Sequence, residues 1–421
     1  MRRLLALAAT VAIGLGGSAA AASYSAASHA ASAATGPTLV TITVPAVHGK
    51  IPAKWLDHPG LPEADVLLPA GYDPSKRYPL LFLLHGLGGS YAFYQQQGLL
   101  PELYHLDAIV VMPDGGPAGW YADWWNDGER GDPSWETYEL DDVLPAIMHR
   151  FPIRAGRRWH AIAGISMGGL GAAYLGGRLP GFFGTVASLS GFVDPQLLGT
   201  VVQPAMAAVT NGFLSGPRSG RDKDPVPIYG PPDGFYATGH NPRRLAANLR
   251  QTRVYLTTGN GIPDLASVGV ILAGFTEEIV DATWEEAGLI YPMSERYYDA
   301  LNAAGVNVTY QVHFGGHDLP SFHKELQALL SWGLFKPVPT HPAAWTNATV
   351  ATSGKLWNVG YRFASPPTAV VTFRRAGDRL TISAAGTPVT VAVGECVIRV
   401  PTPATVRIFA SGCNRGRLLA R

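Results

Sequence analysis

The chain has only two cysteines, Cys396 and Cys413, both near its C-terminal end. That excludes a cysteine-dense scaffold, and the pair lacks the spacing and partners of a structural zinc site. Charge is also scarce: 15% of residues are charged, with 32 basic against 31 acidic side chains. A chain so balanced carries no basic footprint for nucleic acid, and it is too apolar for a disordered polymer. A long hydrophobic run is lacking too, since the apolar stretch at residues 4–15 falls short of the ~20 residues a membrane span needs. No P-loop, dinucleotide fingerprint, HExxH or EF-hand loop is visible, so no cofactor or metal is expected. What remains is abundant core material, 47% hydrophobic, in 421 residues, enough for one large domain and a smaller one.

The N-terminus reads as a targeting segment. Arg2 and Arg3 precede the short apolar run, and small residues follow it. Residues 1–36 are expected to be a signal peptide and a Ser/Ala-rich lead, which makes the protein secreted. In an oxidising compartment Cys396 and Cys413 most simply form one disulfide.

Residues 37–336 alternate short apolar runs with helix-like stretches. Strands are expected at 80–84, 109–112, 159–163, 186–189, 254–257 and 308–314, and helices at 140–150, 167–177, 242–250, 294–304 and 321–334. Two earlier strands, at 39–44 and 64–68, read as antiparallel edge strands. The alternation implies an α/β fold with a mostly parallel central sheet covered on both faces. Residues 215–239 read as a long surface loop, and 261–292 as an irregular segment. Past the Pro-rich link near 336–342 the helical pattern stops, and residues 343–421 read as a small all-β module.

The chemistry concentrates in Gly164-Ile165-Ser166-Met167-Gly168, the one G-x-S-x-G of the chain, placed after a strand and before a helix rich in small residues. Such a turn lifts a serine hydroxyl above the sheet and needs glycine on both sides, as in the α/β-hydrolase fold. Acyl transfer also needs preplaced N–H donors for an oxyanion. Met167 follows the serine, and Leu87 lies in the Gly-rich His85-Gly86-Leu87-Gly88-Gly89 loop, so their amides are the expected pair. His85 itself is expected to shape that loop and border the substrate. The base is expected at His317, on a Gly-rich loop after the last strand and in the order serine, acid, histidine. Position alone favours Asp264 as the acid, just past the strand at 254–257. Trp120, Tyr121 and Trp124 could form a substrate wall or an aromatic core.

The combination of GISMGG, HGLGG, the PDGG at 113–116, WYADW at 120–124, WETY at 135–138 and TGNG at 258–261 resembles the putative-esterase family of α/β-hydrolases, with its secreted mycolyltransferases and esterase D-like enzymes. The resemblance covers about residues 38–336. In the mycolyltransferase branch the acid is a Glu in a Phe-x-Glu sequence, to which Phe275-Thr276-Glu277 is similar, and this moves the preferred acid to Glu277, with Asp264 as the alternative. The acceptor-binding Asp and Arg of that branch's oxyanion loop are not kept in His85-Gly86-Leu87-Gly88, and Leu319 and Pro320 stand where it carries a Trp. The resemblance therefore implies a serine esterase acting on a small-molecule, lipid or sugar ester. An acyltransferase using an alcohol or sugar acceptor is the first alternative, and a non-catalytic protein binding cell-wall polymer through the β module is the second.

Overall fold

The computed structural model describes residues 36–199, 201–213, 228–263 and 277–408. The expected signal peptide, Asp264, Cys413 and most of the 215–239 loop lie outside the described residues. Eight strands form one sheet in the order β1-β2-β4-β3-β5-β6-β7-β8. They are Thr38–Thr43, Glu63–Leu68, Leu80–Leu84, Ile109–Pro113, His160–Ile165, Thr185–Leu189, Arg253–Gly259 and Asn307–His313, numbered β1 to β8. β1 and β2 pair antiparallel, β2 joins β4 antiparallel, and all later neighbours are parallel. The two early strands thus form the antiparallel edge expected of them.

The strands β3, β4, β5 and β6 are buried at every residue, which is why they read as unbroken apolar runs rather than alternating ones. One apolar layer, with Phe82, Ile162 and Leu170, fills one face of the sheet, and a second, with Leu81, Ala163 and Leu326, fills the other. The flanking helices include α1 (Leu144–Arg150), α2 (Met167–Arg178), α3 (Val202–Phe213), α4 (Glu277–Glu285), α5 (Tyr291–Ala303) and α6 (Leu319–Trp332). Two expectations differ. The helix expected at 242–250 is only a 3-10 turn, Ala246–Leu249, because the Asn241 side chain takes the Arg243 N–H at 3.0 Å and diverts the chain into a local turn. The segment expected to be irregular holds α4, continued through a π-helical turn, Glu286–Ile290, into α5.

Beyond residue 343 the chain forms two four-stranded antiparallel sheets. Phe363, Phe373, Leu380 and Val391 fill the space between them, the alternating inward faces of a sandwich. Cys396 is buried in this module. The module is tied to the α/β body by side chains that satisfy backbone groups across the junction. Asn248 Nδ2 donates to the Ala348 carbonyl at 2.9 Å and Asn347 Nδ2 to Gly177 at 2.8 Å.

Arg178, at the end of α2, is the central tie. Its Nε donates to Glu136, while its Nη1 reaches the Tyr361 hydroxyl at 3.2 Å and Nη2 the Ser353 carbonyl at 3.3 Å. Burial would push the Glu136 carboxyl up, but the Arg178 guanidinium, the neighbouring His240 and the Tyr174 hydroxyl outweigh it and hold it down at about 2. The stability this adds is present above the ordinary carboxylate range and is lost as pH falls toward 2. Breaking a buried pair leaves an uncompensated charge, so Arg178→Met is expected to cost about 3–5 kcal/mol in chemical denaturation. Adding Glu136→Gln to that variant should restore part of the loss.

Candidate active site

The site is built on the turn between β5 and α2. Ser166 has φ 56° and ψ −117°, a left-handed conformation that a non-glycine residue holds only when its surroundings force it. The surroundings are glycines with no room for a side chain. A Cβ on Gly164 would lie 2.3 Å from the Gly168 carbonyl oxygen, and one on Gly168 would lie 2.2 Å from that of Leu84. The Ser166 N–H donates to the Leu189 carbonyl at 2.9 Å, and its own carbonyl accepts from Phe192 at 3.2 Å. Backbone strain is thereby held in place from three sides, and Oγ is lifted to the C-terminal edge of the sheet.

The loop after β3 lies against this turn. A Cβ on Gly86 would stand 3.5 Å from Ser166 Cβ. Leu87 follows at the rim, and Met167 is the first residue of α2, where a helix leaves its N–H groups without internal partners. His85 pins the loop from beneath. Its Nδ1–H donates to the Gly86 carbonyl at 2.8 Å, and its Nε2 accepts the Gly115 N–H at 2.9 Å. Burial lowers its pKa, which suits the neutral tautomer those bonds require. The expectation that His85 borders the substrate is corrected: it is 1% exposed and both ring nitrogens are committed, so it shapes the loop only. Asp114 fixes the next turn by accepting the Glu63 and Tyr91 N–H groups at 2.7 and 3.1 Å and meeting His58 Nε2 at 2.9 Å.

His317 stands on the loop between β8 and α6. Its Nε2 accepts the Ser166 hydroxyl at 2.8 Å, and its Nδ1–H donates to Glu286 Oε2 at 2.8 Å. Gly315 lets the loop pass close, since a Cβ there would lie 2.3 Å from Ser321 Oγ. The ring stands edge-on to Phe322 at 5.1 Å, and the His317 N–H bonds the Ala282 carbonyl at 2.9 Å.

The carboxylate at His317 is Glu286, which corrects the expectation of Glu277 or Asp264. Glu277 opens α4 nine residues before Glu286, about 13 Å away along a helix axis. The chain had to run the length of α4 before an acidic residue came under the end of β7. Glu286 is fully buried, and its Oε1 accepts the Ser190 hydroxyl at 2.9 Å and the Thr258 hydroxyl at 2.5 Å. The only sequence signal for it was the Glu285-Glu286 doublet in the right chain order.

Burial would lower the His317 pKa, but the negative charges of Glu285 and Glu286 outweigh it and push it up to about 9. A base must be neutral to take the Ser166 proton. The acid limb of kcat/KM is therefore expected above the ordinary histidine value of 6.5, toward 9. A pH–rate profile checks this, and a plateau already complete at about pH 6 would contradict it.

Trp120, Tyr121 and Trp124 are 4%, 0% and 3% exposed, so the substrate-wall reading gives way to a core. Their polar atoms are spent internally: Trp120 Nε1 donates to Thr210 Oγ1, the Tyr121 hydroxyl to the His85 carbonyl and Trp124 Nε1 to the Gly119 carbonyl. Other histidines have other partners. His323 meets Glu102 at 3.0 Å, and His313 meets Glu325 at 3.0 Å.

A mostly parallel eight-stranded sheet whose fifth strand ends in a strained serine facing a histidine is the architecture of an α/β-hydrolase. Residues 61–332 match the model of the family described as putative esterase, and the chain belongs to that family. Among curated proteins it is similar to Esterase Rv1288 of Mycobacterium tuberculosis, 33% identical over 212 residues. That match covers 49% of this chain and 44% of the relative, so the chain spans less than half of that protein's length. It is also similar to the diacylglycerol acyltransferase/mycolyltransferase Ag85A of Mycobacterium tuberculosis, 28% identical over 302 residues, 65% of this chain and 80% of the relative. Among solved structures, Mycobacterium tuberculosis MPT51 matches with a TM-score of 0.51 and 20% identity over 71% of this chain and 99% of that one, a likeness of fold.

Proposed function

We propose that the protein is a secreted serine esterase that forms an acyl-enzyme on Ser166. The observation that carries this reading is the unbroken chain from Ser166 Oγ through His317 to Glu286, with 2.8 Å at each link. Serine is a poor nucleophile until a positioned base takes its proton, and the base needs a third group to orient it. His317 Nε2 takes the hydroxyl proton as Oγ attacks the ester carbonyl carbon. The Leu87 and Met167 amides receive the oxyanion, and the alcohol leaves with the proton from His317. Water, deprotonated in turn by His317, releases the acid and restores the serine. Glu286 holds the imidazole in the required tautomer throughout. Secretion rests on the N-terminal sequence pattern, and the Cys396–Cys413 bond on the compartment that pattern implies.

The similarity to Ag85A favours a second reading, in which an alcohol or sugar replaces water as acyl acceptor. The β module would then, or in either case, present the enzyme to a cell-wall polymer. A series of p-nitrophenyl esters from acetyl to palmitoyl, assayed with and without an added alcohol, tests both readings. An initial burst of p-nitrophenol and a mass increase of one acyl group on the Ser166 peptide support the acyl-enzyme. A transester product that outcompetes hydrolysis supports the transferase. Absence of turnover and of any adduct across the series would overturn both.

A further inference from the structure

Behind the acid of the triad lies a second histidine–glutamate pair that the proposed chemistry does not use. Ser190, just after β6, has its Oγ 2.9 Å from Glu286 Oε1 and 2.7 Å from Glu325 Oε1. Glu325 projects from α6, and the same Oε1 lies 3.0 Å from His313 Nε2 at the end of β8. Ser190, Glu286 and Glu325 are all buried, whereas His313 borders a cleft of about 280 Å³ beside Lys324. A continuous line of polar contacts therefore runs from that cleft to the triad acid.

The proton count along this line is restrictive. Ser190 has one hydroxyl hydrogen for two carboxylates. His313 Nδ1 faces the Phe314 carbonyl at 3.0 Å and must carry a proton, so Nε2 either accepts from a protonated Glu325 or donates to an ionised one. Only one of the two carboxylates can take the Ser190 hydrogen at a time, and the charge state of the His313–Glu325 pair biases which one does. Two facing buried carboxylates that were both ionised would repel each other across this single hydroxyl.

We propose that His313 and Glu325 are positioning residues for the triad acid, acting through Ser190 to orient the Glu286 carboxylate and to set the pH at which His317 becomes a base. The groups facing this line are Glu285 and Glu286 from the helical segment before α5, His317 from the loop after β8, Tyr255 from β7 and Lys324 from α6. Glu325 adds to the negative field that raises His317, and both it and Glu286 raise His313.

The inference rests on the triad reading, and its failure is separable from failure of that reading. The experiment compares full pH profiles of kcat and kcat/KM on one p-nitrophenyl ester for Glu325→Gln, Ser190→Ala, the double variant and His313→Gln. Glu325→Gln is expected to move the acid limb to lower pH by at least about half a unit and to lower plateau kcat about 5–50-fold, with KM within twofold. The double variant is expected to match Ser190→Ala, since the hydroxyl carries the coupling. His313→Gln, beside the open cleft, keeps the test usable if Glu325→Gln folds poorly, and is expected to lower plateau kcat several-fold with KM unchanged. Wild-type profiles for both Glu325→Gln and His313→Gln, or additive losses in the double variant, would overturn the inference while leaving the triad intact. Full activity in Glu286→Gln would instead sink the triad reading itself.

Discussion

Replacing Ser166 with Ala lowers kcat/KM for p-nitrophenyl butyrate by about 10⁴–10⁶-fold, leaving only what the oxyanion donors and binding supply. The substitution removes one oxygen and keeps Cβ, so the strained φ of 56° is neither relieved nor worsened. The Ser166 backbone bonds to Leu189 and Phe192 survive, and so does the glycine-lined turn. Thermal unfolding should therefore match the unmodified protein or lie slightly above it, as stability recovered from a catalytic group often does. A loss of activity with a large drop in melting temperature would point to a structural serine, and unchanged hydrolysis would remove Ser166 from the mechanism.

Glu286→Gln is expected to cost about 10³–10⁴-fold in kcat, and Glu277→Gln less than twofold. The amide nearly preserves shape but removes the charge that stabilises the imidazolium, and it can present an N–H toward His317 Nδ1, which then turns out the wrong tautomer. It also disturbs the Ser190 and Thr258 hydroxyls, both of which now donate to Glu286 Oε1. Because Glu286 helps raise His317, the residual activity should show its acid limb at lower pH than the unmodified protein. Equal losses in the Glu286 and Glu277 variants would contradict the geometry at His317.

The β module and the body that carries Ser166 are joined by buried polar contacts. Arg178 joins Glu136 of the hydrolase to Tyr361 and Ser353 of the module, and Arg157 stacks on Trp357 at 4.6 Å. Removing the module would leave Arg178 half-satisfied and expose the face of α2 whose other end carries Met167. Point substitutions in the full chain are thus better probes of the site than truncation.

Much of the site could be read in advance where its constraints are local in the chain. Gly164 and Gly168 flank Ser166 within one turn, and their lack of side chains is demanded by contacts of 2.3 and 2.2 Å. The strands β3, β4, β5 and β6 announce themselves as apolar runs because both faces are covered. His317 followed from chain order and its Gly-rich loop. The aromatic cluster did not resolve so easily: Trp120, Tyr121 and Trp124 suit a core or a pocket equally by composition, and burial alone separates the two.

The sequence by itself singled out Ser166, His317 and the mostly parallel sheet that carries them, because each depends on neighbours a few residues away or on a regular period. Only the tertiary structure decided which carboxylate meets His317. Glu277, Glu278, Asp281, Glu285 and Glu286 all precede His317 in the right order, and which one meets it depends on where α4 starts, how far it rises and how its π-helical end turns the last carboxylate beneath β7. The same holds for Ser190, Glu325 and His313, whose partnership joins three elements far apart in the chain and leaves no periodic trace in any one of them.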